Sequence, residues 1–90
     1  MNKNARTNRR RGRTFSRDIA RNLRAAARAQ HLSPRDVRRI ELDNGMHPGS
    51  LFLTFTGLRV MVSHVFVLQD KLGLSVDDLF AGTQYQVTHS

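Results

Sequence analysis

Apolar residues recur with helical spacing in several parts of this chain, lose clear spacing in one part, and are missing from the start. Residues 1–13 (MNKNARTNRRRGR) show no apolar periodicity and read as a disordered arm. From Thr14 or Ser16 to about Gln30, Ile19, Leu23, Ala26 and Gln30 share one helical face. Arg17, Arg21, Arg24 and Arg28 line the opposite face. The apolar face is mostly alanine. That suits close packing on neighbouring helices and lacks the bulky side chains that a membrane-surface helix inserts.

After a short His31-Leu32 connection comes the sharpest local signal. Ser33 is an N-cap, Pro34 fits the first helical position, and Asp36 completes an acidic Ser-x-x-Asp capping box. Val37, Ile40 and the aliphatic stem of Glu41 then fall on one face, with Arg35, Arg38 and Arg39 elsewhere. Asp43-Asn44-Gly45 ends this helix, and His47-Pro48-Gly49-Ser50 is a turn or a new helix start. Residues 51–68 (LFLTFTGLRVMVSHVFVL) are ambiguous. Alternation of Leu51, Leu53 and Phe55 and of Val60 and Val62 fits a hairpin turning at Thr56-Gly57 as well as it fits helix. A membrane span is disfavoured, because Arg59 and His64 lie inside the run and an arginine near mid-bilayer costs about 2.5–3.5 kcal/mol. Downstream, Val62, Val65, Leu68, Gln69 and Leu72 share a helical face that Gly73 terminates. Ser75 caps a short last helix burying Leu79 and Phe80.

Composition narrows the function. Ninety residues make one domain, and the absence of cysteine excludes disulfides and thiolate metal sites. The N-terminus shows no signal-peptide pattern, and a cytoplasmic, nucleoid-associated location is expected. Net charge is +8 and it is sided. Residues 1–39 carry 13 Lys/Arg against 2 Asp/Glu, and residues 40–90 carry 2 against 5. A basic end of this kind points to a polyanion. The four histidines have no metal-ligand spacing, Asp77 and Asp78 fit a helix N-terminus better than acid–base work, and the glycines form no phosphate-binding fingerprint. We therefore expect no enzyme, no cofactor, no metal and no small-molecule substrate. RNA binding ranks low, because Phe15 is the only aromatic residue in the basic half.

Two blocks resemble the lambda-repressor-like (Cro/XRE-type) helix-turn-helix family. Ile19-x-x-x-Leu23-Arg24-x-x-x-Arg28-x-x-x-Leu32-Ser33-x-x-x-Val37 is similar to its first helix, its "LS" turn and the start of its second helix. Val65-x-x-Leu68-x-x-x-Leu72 followed by Gly73-Leu74-Ser75-Val76-Asp77-Asp78-Leu79-Phe80 is similar to its fourth helix and closing element. Together they cover a little over half of the domain. The resemblance implies an all-α, compact domain of about five helices over residues 14–81, with the basic arm before it and a tail over 82–90. It also turns the ambiguous 51–68 segment toward helix.

The middle admits two registers. In the first, Ser33–Asn44 is helix two and the recognition helix lies between Pro48 and Gly57, a segment without Arg, Lys, Asn or Gln to read base edges. In the second, Ser33–Glu41 with Gly45 and Pro48 resembles the recognition helix and its exit, leaving about 12 extra residues before Gly73. Either way the resemblance implies a sequence-specific double-stranded DNA-binding regulator, Cro-like and acting by site occupancy as a homodimer. Candidate contacts are Arg9, Arg10, Arg11 and Arg13 of the arm, with Ser33, Arg35, Arg38 and Arg39 of the capped helix. His47 and Ser50 join them, the one just before and the other within the first register's recognition segment. The rival is a degenerate helix-turn-helix that binds protein through apolar residues 51–68.

Overall fold

The structure, a computed structural model, describes the backbone of residues 3–83 and the side chains of residues 15–83. Five helices follow one another: α1 (Lys3–Ala29), α2 (Pro34–Asp43), α3 (Ser50–Thr56), α4 (Val62–Leu72) and α5 (Val76–Leu79). No strand occurs among the described residues, so the all-α expectation holds. α1 takes in residues 3–13, which were expected as a disordered arm, and so begins ahead of the expected Thr14 or Ser16 start. The side chains of Arg9, Arg10, Arg11 and Arg13 lie outside the described residues, as do residues 84–90 of the expected tail.

α1 is the wall on which the rest is built. Its inward Ile19, Ala20 and Leu23 are buried, and α3, α4 and α5 pack on it. α3 supplies Leu51, α4 supplies Val65, Leu68 and Leu72, α5 supplies Leu79 and α2 supplies Ile40. Leu23, Leu51 and Leu68 are wholly buried, each contributing about 1.5–3 kcal/mol by removal from water. The alanine-rich face of α1 has a visible purpose. Gly57, at φ +78°, brings the end of α3 so close that an added Cβ would lie 3.4 Å from both the Ala20 Cβ and the Ser16 carbonyl oxygen. A larger residue at position 20 would push this corner away.

Helix ends follow local chemistry. Gly45 and Gly73 close α2 and α4 with the paired bonds of a Schellman turn: Met46 N–H to Glu41 and Gly45 N–H to Leu42, then Leu74 N–H to Gln69 and Gly73 N–H to Asp70. α1 closes the same way without glycine. His31 takes φ +53° while Leu32 N–H reaches the Ala27 carbonyl at 2.9 Å. A non-glycine residue there costs about 1–2 kcal/mol.

The ambiguous 51–68 segment is helix on both sides of a non-helical Gly57–Met61 corner, not a hairpin. Val62 departs from its expected inward position. It is 69% exposed. α5 is tied back to α1 by Asn22, whose Nδ2 donates to the Leu79 and Ala81 carbonyls at 2.8 Å each. The Phe15 and Phe80 rings stack with centroids 5.9 Å apart. At the other end of α1, the Gln30 side chain donates to the Leu72 carbonyl.

Candidate functional site

The N-terminus of α2 is rigid by its own sequence. Asp36 N–H donates to Ser33 Oγ at 3.2 Å, and Asp36 Oδ2 accepts from Ser33 N at 2.8 Å and from Ser33 Oγ at 2.9 Å. Both halves of the capping box are therefore made. These bonds hold the Asp36 carboxyl below the usual carboxylate range: the Ser33 backbone N–H contributes most, then the Ser33 hydroxyl, with the Arg39 charge adding to them. The Ser33 hydroxyl both donates and accepts within this box, so its role is to shape the helix start. Arg35 and Arg39 project from the same helix and are exposed. The cap thus presents two arginines from a fixed backbone.

Arg38 behaves differently. It is half-buried, and its guanidinium lies 3.5 Å from Glu41 Oε1. Glu41 is the unexpected residue of α2. The sequence suggests only that its stem packs, yet the whole side chain is buried and Oε2 accepts the Leu51 backbone N–H at 3.0 Å. Leu51 is in the first turn of α3, whose N-cap position is Gly49 with no side chain to offer. Glu41 therefore caps α3 from α2. An acid one turn before a glycine stop was the only hint in the sequence.

Two grooves flank α3. The first, about 430 Å³, lies between the α2–α3 turn and the start of α4. It brings His47 and Ser50 together with Arg59, Ser63 and His64. Ser50 Oγ donates to the His47 carbonyl at 2.7 Å, which holds the turn against the helix. Sequence reasoning missed Arg59 and His64. The signal available was their position as the two basic residues inside an otherwise apolar run.

The second groove, about 520 Å³, lies between the C-terminal half of α1, α2 and α3. Its floor is apolar, with Leu32, Val37, Phe52 and Phe55, and Arg24, Arg28 and Arg38 stand on its rim. Arg24 departs from the expected solvated stripe. It is half-buried and donates to the Phe55 carbonyl, answering an acceptor near the end of α3. Arg17, Arg21 and Arg28 do stay exposed, with Arg21 3.2 Å from Asp18.

The expected site residues are thus divided between places. Arg35 and Arg39 project from α2, Arg38 belongs to the apolar groove, and His47 and Ser50 to the other groove. Outward side chains of α3 include Phe52 and Thr56. Among the described residues no group of three His, Asp or Glu is placed to hold a metal, and no helix is long and apolar enough to cross a membrane. Comparison of the chain with protein-family models, with curated proteins and with solved structures finds no match.

Proposed function

We propose that the protein binds double-stranded DNA and regulates transcription as a homodimer that occupies its site, from a cytoplasmic, nucleoid-associated location. The observation that carries this reading is the capped α2, which presents Arg35 and Arg39 from a fixed helix on a chain whose first 39 residues hold 13 of its 15 Lys/Arg. Exposed Arg17, Arg21 and Arg28 of α1 and the four arginines of residues 9–13 would add phosphate contacts and hence salt-dependent affinity. α2, a six-residue connection and α3 would form the helix-turn-helix unit. The burial of Leu51 and Thr54 supports this first register, because it makes α3 part of the core and not an extra loop. In this register Arg35, at the start of the unit's first helix, would hold a phosphate, and base reading would rest on His47 and Ser50, since Phe52 and Thr56 offer little to a base edge. Leu58, Val62 and Phe66, 77%, 69% and 59% exposed, would pair the two copies.

The test is Arg35→Ala, titrated with a selected and a random duplex at two salt concentrations. A base contact predicts a loss of about 1–3 kcal/mol on the selected site, with specificity relaxed at one position. A phosphate contact predicts an equal loss on both duplexes and a salt slope smaller by about 0.9. Unchanged binding to both sinks the proposal for this helix.

A second reading has its own observation. The same exposed apolar residues, together with Phe52 at 63%, fit a helix-turn-helix relative that binds protein in place of bases. Absence of any duplex binding at low salt would favour it.

A further inference from the structure

DNA binding leaves one surface without a role: the apolar groove between α1, α2 and α3. Its floor is made by Leu32 and Val37, half-buried, with Phe55 and the exposed Phe52. Phosphates and sugars do not desolvate such a surface; apolar side chains do. Its rim is cationic. Arg28 is exposed, Arg38 keeps 42% of its side chain in solvent, and the one acid in the lining, Glu41, is buried and committed to Leu51 N–H and Arg38. The groove therefore offers an apolar floor with exposed Arg28 on its rim and no free negative charge, the Arg38 charge being offset by Glu41.

The geometry points to an acidic amphipathic helix of a protein partner as its occupant. Apolar side chains at helical spacing would fill the floor, and flanking Glu or Asp would meet the exposed Arg28 first. The helix follows from the backbone. The described residues present no sheet edge, so an extended strand would gain no backbone ladder in the groove, whereas a helix keeps its own N–H and C=O groups bonded while it presents an apolar stripe. At about 520 Å³ the groove takes about two or three large side chains, the content of an i, i+3, i+7 stripe. A second copy of this chain is the poorer fit, because its exposed Leu58, Val62 and Phe66 are accompanied by a single acid, Asp70, with exposed Arg59 and Lys71 beside it. The inference does not rest on the DNA reading, and its failure would leave that reading untouched.

The experiment titrates the ¹⁵N-labelled full chain with a synthetic peptide carrying leucines at i, i+3, i+4 and i+7 and glutamates elsewhere. Two control peptides accompany it, one with the leucine spacing scrambled and one with lysine in place of glutamate. Amide shifts are expected to concentrate at Ala27, Leu32, Val37 and Phe52. Phe52→Ser and Arg28→Glu, both at exposed positions, should each weaken binding by about tenfold or more, and Val76→Ser on α5 should not. Equal binding of the scrambled or the lysine peptide overturns the proposal. So does a shift map centred on α4, or full binding by a folded Phe52→Ser variant whose circular dichroism matches the parent.

Discussion

α2 starts with Ser33 and Asp36, each bonded to the other's backbone across three residues. α3 starts after Gly49, has no side-chain cap of its own, and takes an acceptor from Glu41 ten residues earlier. Both helices face the same need, because the first N–H groups of any helix lack partners inside it. α2 meets it within its own first turn, at an exposed position, and would keep the cap wherever the helix sat. α3 meets it only when α2 is docked beside it, with the carboxylate buried. Folding of α3 is thereby coupled to the α2–α3 angle. One cap makes a rigid element, and the other makes a rigid pair. For a unit meant to hold two helices at one fixed orientation, the second kind does more.

The contrast can be broken most severely at Glu41. Glu41→Ala leaves a buried N–H without its acceptor and is expected to cost about 2–3 kcal/mol, with Glu41→Gln, which keeps a carbonyl oxygen, losing only about 1. Urea denaturation measures both, and hydrogen exchange should accelerate at the Leu51 amide. An alanine variant within about 0.5 kcal/mol of the parent would show that α3 does not depend on α2 for its cap.

Ser33→Ala sharpens the other side. It should cost about 1 kcal/mol, with faster exchange at Asp36 and none of the change at Leu51. Equal acceleration at both amides would erase the distinction between a local and a borrowed cap.

The smallest effect is in pH. The folded Asp36 carboxyl titrates below its unfolded value, so its bonds to Ser33 are in full force above the ordinary carboxylate range. They are lost as pH falls through the lowered folded value. The Ser33 amide resonance should follow that titration, and Ser33→Ala should move the midpoint upward. A parent midpoint at or above about 3.9 would mean the carboxylate gains nothing from the cap.

α2 and the C-terminal half of α1 were legible because their signals are short-range, whereas residues 3–13 of α1 carry no apolar periodicity and were not. The Ile19–Leu23 spacing, the Ser33–Asp36 box and the glycine stops at 45 and 73 each work within one or two turns, and the structure has all of them. Residues 51–56 were not legible by propensity. Leu51 and Thr54 become helical positions only because α1 and α2 bury them, and Thr54 donates to the Ser50 carbonyl once that helix exists. The candidate site divides the same way. Exposed Arg35 and Arg39 follow from the spacing on a capped helix, whereas the meeting of His47 and Ser50 with Arg59 and His64 requires the α3–α4 corner to close.

By itself the sequence determined the helices that became α2 and α4, their glycine stops, the cap of α2 and the concentration of positive charge at one end, whereas helix over residues 51–56 was implied only by the family resemblance. Tertiary structure alone decided that Glu41 caps α3, that Arg24 turns inward to the Phe55 carbonyl, and that exposed Phe52 lines one groove with arginines from two other helices. Those outcomes depend on which surfaces meet. Arg38 is a neighbour of the buried Glu41 carboxylate by spacing on α2, but no spacing along one chain segment encodes the Leu51 N–H that it also satisfies.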